Sequence, residues 1–176
     1  MARSFKLTAD GGSRGNPGPA GYGAVVTEGG KIVAELFDVI GVATNNVAEY
    51  NGLLAGLIHI HQLDPQATVE VAMDSKLVVE QMSGRWQIKH ADMRDLAKQC
   101  RAAHEPSLVT YSWIPRDENS HADRLANKAL DGGSEHKPIS VIQQNYLTDR
   151  LRSAEIPTFI YFIRHGETVL TPERKF

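Results

Sequence analysis

Three strand-like stretches come first in this chain, and every later one is set off by a helical stretch. From Ser4 to Ala9 the apolar side chains of Phe5, Leu7 and Ala9 alternate with polar ones. The glycine-rich run GGSRGNPG then breaks the pattern and leaves Asp10 at the expected strand end. Tyr22 to Thr27 and Lys31 to Ile40 are joined across Glu28-Gly29-Gly30, a spacing that predicts a hairpin. From Thr44 the period changes to about 3.6, with Ala48, Leu53, Leu54, Leu57, Ile58 and Ile60 on one helix face and Asn45 or Asn46 available as its N-cap. Thr68 to Met73 is a short apolar run ending at Asp74. The following SKLVVEQM reads as a helix closed by Ser83-Gly84. A helix over Ala91 to Ala103, a strand over Leu108 to Trp113 and a helix over His121 to Leu130 complete the order βββαβααβα.

Crossover helices force the later strands to run parallel, so this order predicts an α/β fold: a five-stranded mixed sheet, three strands antiparallel and the rest parallel, flanked by helices. Ligands in such sheets gather at the carboxyl ends of strands. The expected domain covers residues 1–133. Residues 134–156 lack clean periodicity and read as a linker, and a new apolar run starts at Thr158.

The single cysteine, Cys100, excludes an intramolecular disulfide and any cysteine-based zinc cluster, which suits a reducing cytoplasm. No apolar run approaches the roughly 20 residues of a membrane span, so the expectation is a cytoplasmic protein, monomeric and without a membrane partner. A net charge of -2 speaks against a nucleic-acid partner, because phosphate binders commonly carry a basic surplus. Divalent cations at the site would supply the missing positive charge.

Four acids fall where such a fold gathers ligands: Asp10 and Asp74 at strand ends, Glu49 and Asp123 at helix starts. Taken singly, each has an ordinary structural reading as a turn former, first-turn acid or N-cap. Together, convergent carboxylates can hold two magnesium ions about 3.5 to 4 Å apart, an arrangement suited to in-line phosphodiester hydrolysis.

The segments TADGGSRGNPGPAGYG, TNNVAEYNGLLAGL, VAMDSKLVVEQMSG and WIPRDENSHADRLANKAL resemble, in this order and spacing, the motifs of ribonuclease H type 1. The resemblance covers about residues 3 to 131. It implies an endoribonuclease acting on the RNA strand of RNA/DNA hybrids, with Asp10, Glu49, Asp74 and Asp123 as the catalytic carboxylates and magnesium, or manganese in its place, as cofactor. It further implies that Ser13, Gly15 and Asn16 sense 2′-hydroxyls, that Thr44 binds a DNA-strand phosphate, and that Lys89 shares that pocket. Asn45 and Asn46 carry amides suited to minor-groove edges, and Trp86 is placed to stack on a deoxyribose.

Two departures from the family pattern stand out. There is no basic, tryptophan-rich protrusion, which predicts weak and salt-dependent substrate binding. Where the family has a helper histidine, Arg116 stands, an auxiliary candidate for phosphate contact or product release. His121 lies two residues from Asp123 and should face elsewhere; the remaining histidines, including His59 and His61, read as surface residues.

TFIYFIRHGET, residues 158 to 168, resembles the opening strand and phosphate loop of the histidine phosphatase family, implying Arg164 as a phosphate ligand and His165 as the phosphoryl acceptor. Only eight residues follow Thr168. The expectation is an incomplete phosphatase fragment over 157–176 and a natural fusion of two domains. Competing readings are a hybrid-binding module without catalysis, a phosphatase, and a related nuclease acting on DNA alone.

Overall fold

In a computed structural model of the chain, residues 3–132 are described. The linker expected over 134–156 and the fragment expected over 157–176 lie outside the described residues. The strands are β1 (Ser4–Ser13), β2 (Gly18–Glu28), β3 (Lys31–Ala43), β4 (Thr68–Met73) and β5 (Val109–Trp113). They form one sheet in the order β3-β2-β1-β4-β5. The first three pair antiparallel, and β4 and β5 join parallel to β1, as the element order predicts. The helices are α1 (Asn45–Leu63), α2 (Lys76–Met82), α3 (Ala91–Ala103) and α4 (Ser120–Leu130).

Neighbouring strand residues point to opposite faces, and β2 shows what covers each. Val26 packs with Phe5, Leu7 and Ala9 of β1 and with Leu53 and Leu57 of α1. Val25 packs instead with Phe37, Leu125 and Ala129. Helix α1 therefore covers one face and α4 the other. Val79 of α2 and Met93 and Cys100 of α3 belong to the α1 side, so the larger core lies there. Each fully buried leucine or phenylalanine in it contributes about 1.5 to 3 kcal/mol. Cys100 is a free, buried thiol whose pKa burial pushes up, which leaves it inert.

Three local expectations are corrected. The first strand does not stop at Asp10: Gly11, Gly12 and Ser13 continue it, opposite Tyr22, Gly21 and Ala20. Glycines break a strand only where nothing pairs with them, and here β2 does. The N-cap of α1 is Thr44, whose hydroxyl accepts the Val47 N–H at 3.4 Å, so Asn45 and Asn46 lie inside the first turn instead of capping it. The histidines are not all on the surface: His104 is buried, with Nε2 2.8 Å from the Ala67 carbonyl, and His61 is half-buried and edge-on to it.

Candidate active site

Ala9 and Gly11 face α1, so the alternation of β1 turns Asp10 to the face that α4 covers. Glu49 comes from the second turn of α1. Asp74 follows the last residue of β4, and Asp123 stands in the first turn of α4. Elements distant in sequence thus bring all four acids to the wall of one cavity of about 290 Å³, together with Ser13, Arg14, Asn45, Arg116 and Asn127.

Each acid is oriented by a donor. The Gly11 N–H donates to Asp10 Oδ1 at 2.8 Å. Ser75, the N-cap of α2, donates its hydroxyl to Glu49 Oε2 at 2.6 Å, and the Asn45 amide donates to Glu49 Oε1 at 3.2 Å. Asn119 is buried and its amide donates twice, to the Ala9 carbonyl at 2.9 Å and to Asp74 Oδ1 at 2.6 Å, which ties the middle of β1 to the residue that follows β4. Asp123 accepts from Arg116 at 3.0 Å and from Asn127 at 3.2 Å.

Burial, with the Asp74 charge next in weight, raises the Asp10 carboxyl to about 6. Burial raises Glu49 to about 7 against the lowering effect of the Ser75 hydrogen bond, and Asp10 and Asp74 add to the rise. Acids that repel one another at close quarters are under-neutralised, which is the condition a bound cation relieves.

The donor set is all oxygen, the preference of hard cations such as magnesium. Among the described residues no protein donor engages Asp10 Oδ2 or Asp74 Oδ2, which leaves one oxygen open on each. No group of three or more Asp, Glu, His or Cys among the described residues forms a ready-made cage. That matches magnesium, which commonly takes one or two carboxylates and completes its shell with water and substrate phosphate. The residues therefore fit a divalent cation held jointly with a substrate.

A family model described as reverse transcriptase-like matches residues 8–129, the stretch holding all four acids. Bifunctional protein Rv2228c of Mycobacterium tuberculosis is 45% identical over 180 residues, which cover 97% of this chain and 49% of the relative. The solved N-terminal RNase H domain of Rv2228c from Mycobacterium tuberculosis is 52% identical with a TM-score of 0.70, covering 75% of this chain and 96% of that one. The chain belongs to the ribonuclease H family. A further ribonuclease H, LC11-RNase H1, solved in complex with an RNA/DNA hybrid, is 36% identical with a TM-score of 0.68, covering 73% of this chain and 97% of that one. The chain spans about half the length of its mycobacterial relatives.

Within this ribonuclease H domain the residues singled out for substrate binding fall into two groups. Ser13 and Asn45 line the acid cavity. Gly15 and Asn16 lie beside it in the turn after β1, where the Asn16 side-chain oxygen accepts the Asn45 N–H at 3.2 Å. Thr44 is engaged as the cap of α1, and Asn46 follows Asn45 on that helix. Trp86, about half exposed, and Lys89 come after α2 and do not line the cavity. Arg116 lines it, whereas His121 pairs with Glu35 of β3 at 2.5 Å. Sequence reasoning missed Ser75, Asn119, Asn127 and Arg14. The first three act through contacts that local pattern does not announce; Arg14 lay in plain sight in the glycine-rich segment.

The raised carboxyls predict a pH dependence for this ribonuclease H without cation. In the unfolded chain Asp10 and Glu49 ionise near 3.8 and 4.5; in the folded chain they hold their protons to about 6 and 7. Between these values the folded state binds more protons, so stability is highest below pH 4 to 5 on this account and falls as pH rises through 6 and 7. Both groups are more than nine-tenths buried. At about 1.36 kcal/mol for each pH unit, rises of about 2 and 2.5 put the expected loss attributable to the pair at about 6 kcal/mol between pH 4 and 8. Urea unfolding in chelator, compared with Asp10→Asn/Glu49→Gln, isolates it: the variant should show a flatter profile, and an unchanged profile would contradict the shifts.

Proposed function

We propose that the chain is an endoribonuclease that hydrolyses the RNA strand of RNA/DNA hybrids, with divalent cations held by Asp10, Glu49, Asp74 and Asp123. The observation that carries this is the convergence of four acids on one cavity beside the glycine-rich turn, in a family where LC11-RNase H1 was solved with a hybrid. Two magnesium ions, with manganese as substitute, are the cofactors this reading assigns. Asp10 and Asp74 would hold cation through their open oxygens, with Glu49 and Asp123 completing the set. When bound, the cations offset the acids' charge, polarise the scissile phosphodiester and lower the pKa of the attacking water.

The chain's own residues do the positioning. The Gly11 amide, the Ser75 hydroxyl and the Asn119 amide fix the directions of Asp10, Glu49 and Asp74. Such fixed ligands need no reorganisation when the reaction occurs. Ser13 and Asn45, with Gly15, Asn16 and Asn46 beside them, read the 2′-hydroxyls of the strand to be cut, because a minor groove presents those groups and little else that separates RNA from DNA. Because Asn45 also donates to Glu49, contact with a sugar is felt directly by a catalytic carboxylate. Thr44 and Lys89 take phosphates of the DNA strand, and Trp86 stacks on a deoxyribose.

The selectivity is tested with a hybrid, the same hybrid carrying 2′-O-methyl groups on its RNA strand, and duplex DNA of one sequence. Cleavage confined to the unmodified hybrid is expected, leaving 5′-phosphate ends. Cutting of duplex DNA at a comparable rate would move the protein to the DNA-acting nucleases of the same fold.

The natural setting we propose is a cytoplasmic monomer in which a phosphatase-like part follows this domain. Support comes from the RHGE tetrapeptide at 164–167 and from the relative named bifunctional, of which this chain covers 49%. No described helix is long and apolar enough to cross a membrane. Mass spectrometry of the native protein should find a chain roughly twice as long; a native product ending at Phe176 would contradict the fusion.

A further inference from the structure

Arg14 is the only cationic residue of the GGSRGNPG segment, and its backbone and side chain are held very differently. Its N–H donates to the Pro19 carbonyl at 2.8 Å. The turn closes so tightly over it that a Cβ at Gly18 would lie 2.2 Å from the Arg14 carbonyl oxygen. The Asn16 to Asn45 hydrogen bond then fastens the turn to α1. The Arg14 side chain, by contrast, is 56% exposed and lines the acid cavity.

Its guanidinium rests on Asp131, the C-cap residue of α4, whose side chain is 66% exposed. A carboxylate there faces the negative end of the helix dipole, so it does not stabilise the helix terminus. An ion pair this exposed contributes little to folding. The pair is thus a resting place rather than a structural tie. The cavity's other arginine, Arg116, is held by one of the four acids themselves. Arg14 can leave its partner without disturbing any of them.

We propose that Arg14 is a substrate-binding residue whose guanidinium leaves Asp131 and grips a phosphodiester of the strand being cut, beside the acid cavity. The inference rests on the hybrid-nuclease reading above. A fork of N–H donors on a fixed backbone matches a phosphate with little ordering left to do. It also supplies local positive charge to a chain whose net charge is -2.

The test is hybrid binding by fluorescence anisotropy in magnesium across a salt titration, with Asp10→Asn as the uncutting parent. Adding Arg14→Ala should reduce the slope of log affinity against log salt by about one and weaken binding several-fold near 0.1 M salt. Arg14→Lys should keep most of the slope, since a point charge also displaces a counterion. Asp131→Asn, which frees the guanidinium, should leave the slope intact and tighten binding by about twofold. Lys98→Ala, an exposed site on α3, should change nothing. An unchanged slope in Arg14→Ala overturns the proposal. So does a loss in Asp131→Asn equal to that in Arg14→Ala, because the pair would then be structural. A parent that binds hybrid no better than duplex DNA would instead remove the hybrid reading itself.

Discussion

Asp10→Asn is expected to lower kcat/KM for hybrid cleavage by about 10³-fold or more while leaving the chain folded and, without cation, more stable at pH 8. The loss follows from removing a charged oxygen from the proposed cation site, since each 1.36 kcal/mol of lost transition-state stabilisation costs tenfold in rate and a catalytic ion contributes several. The gain follows from the same charge. Asn keeps the oxygen that accepts the Gly11 N–H at 2.8 Å, but it removes a carboxyl that burial and Asp74 push up to about 6. At pH 8 the metal-free wild type must ionise that group and the variant need not. Opposite movements of activity and stability mark a residue kept for chemistry rather than for folding. Steady-state cleavage and urea unfolding in chelator read both. A variant that lost stability along with activity would make Asp10 a structural residue.

Gly11→Ala should be among the most damaging single methyls in the domain, and its neighbour the contrast. A Cβ on Gly11 would lie 2.2 Å from the Glu49 backbone nitrogen and 2.3 Å from the Ala48 carbonyl carbon. Helix backbone cannot rotate aside as a side chain can, so α1 must move off β1 as a body. Overpacking that displaces backbone costs about 3 kcal/mol or more, and the shift carries Glu49 away from the other acids, so cleavage falls too. On Gly12 the nearest atom is a Leu130 methyl at 3.5 Å, an ordinary contact. Gly12→Ala should therefore change stability by less than about 1 kcal/mol. Urea unfolding of both variants checks the pair; similar values would mean that α1 does not approach β1 as closely as 2.2 Å implies.

These glycines also show where sequence reading reached its limit. GGSRGNPG looks locally like a break after a strand, and Asp10 like a strand end. Pairing with β2 carries the strand to Ser13, and only the approach of α1 explains why glycine is needed at position 11. The mixed sheet, by contrast, was legible throughout, because the alternation of Phe5, Leu7 and Ala9 and the helical period after Thr44 each encode one buried face. The four acids were legible because each lies near an element boundary and inside a segment that resembles the ribonuclease H motifs. Asn119 was not. It sits in a 3-10 turn of no obvious pattern, and its two partners lie 110 and 45 residues away. Contacts of that range belong to the assembled sheet and leave no mark on neighbouring residues.

Net charge misleads for a related reason. A value of -2 averages over the whole chain, whereas a phosphodiester at the cavity meets four acids, two arginines and whatever cation the acids hold. The absence of a basic protrusion still predicts weak hybrid binding with a modest salt slope, because few phosphates are contacted away from the site.

The most direct measurement uses a hybrid whose RNA and DNA strands carry different labels, incubated with the wild-type chain in magnesium, in manganese and in chelator. Cleavage of the RNA strand alone, present with either cation and absent in chelator, is the predicted result. Cutting that persists in chelator, cutting of the DNA strand, or an intact RNA strand under both cations would contradict a cation-dependent ribonuclease H.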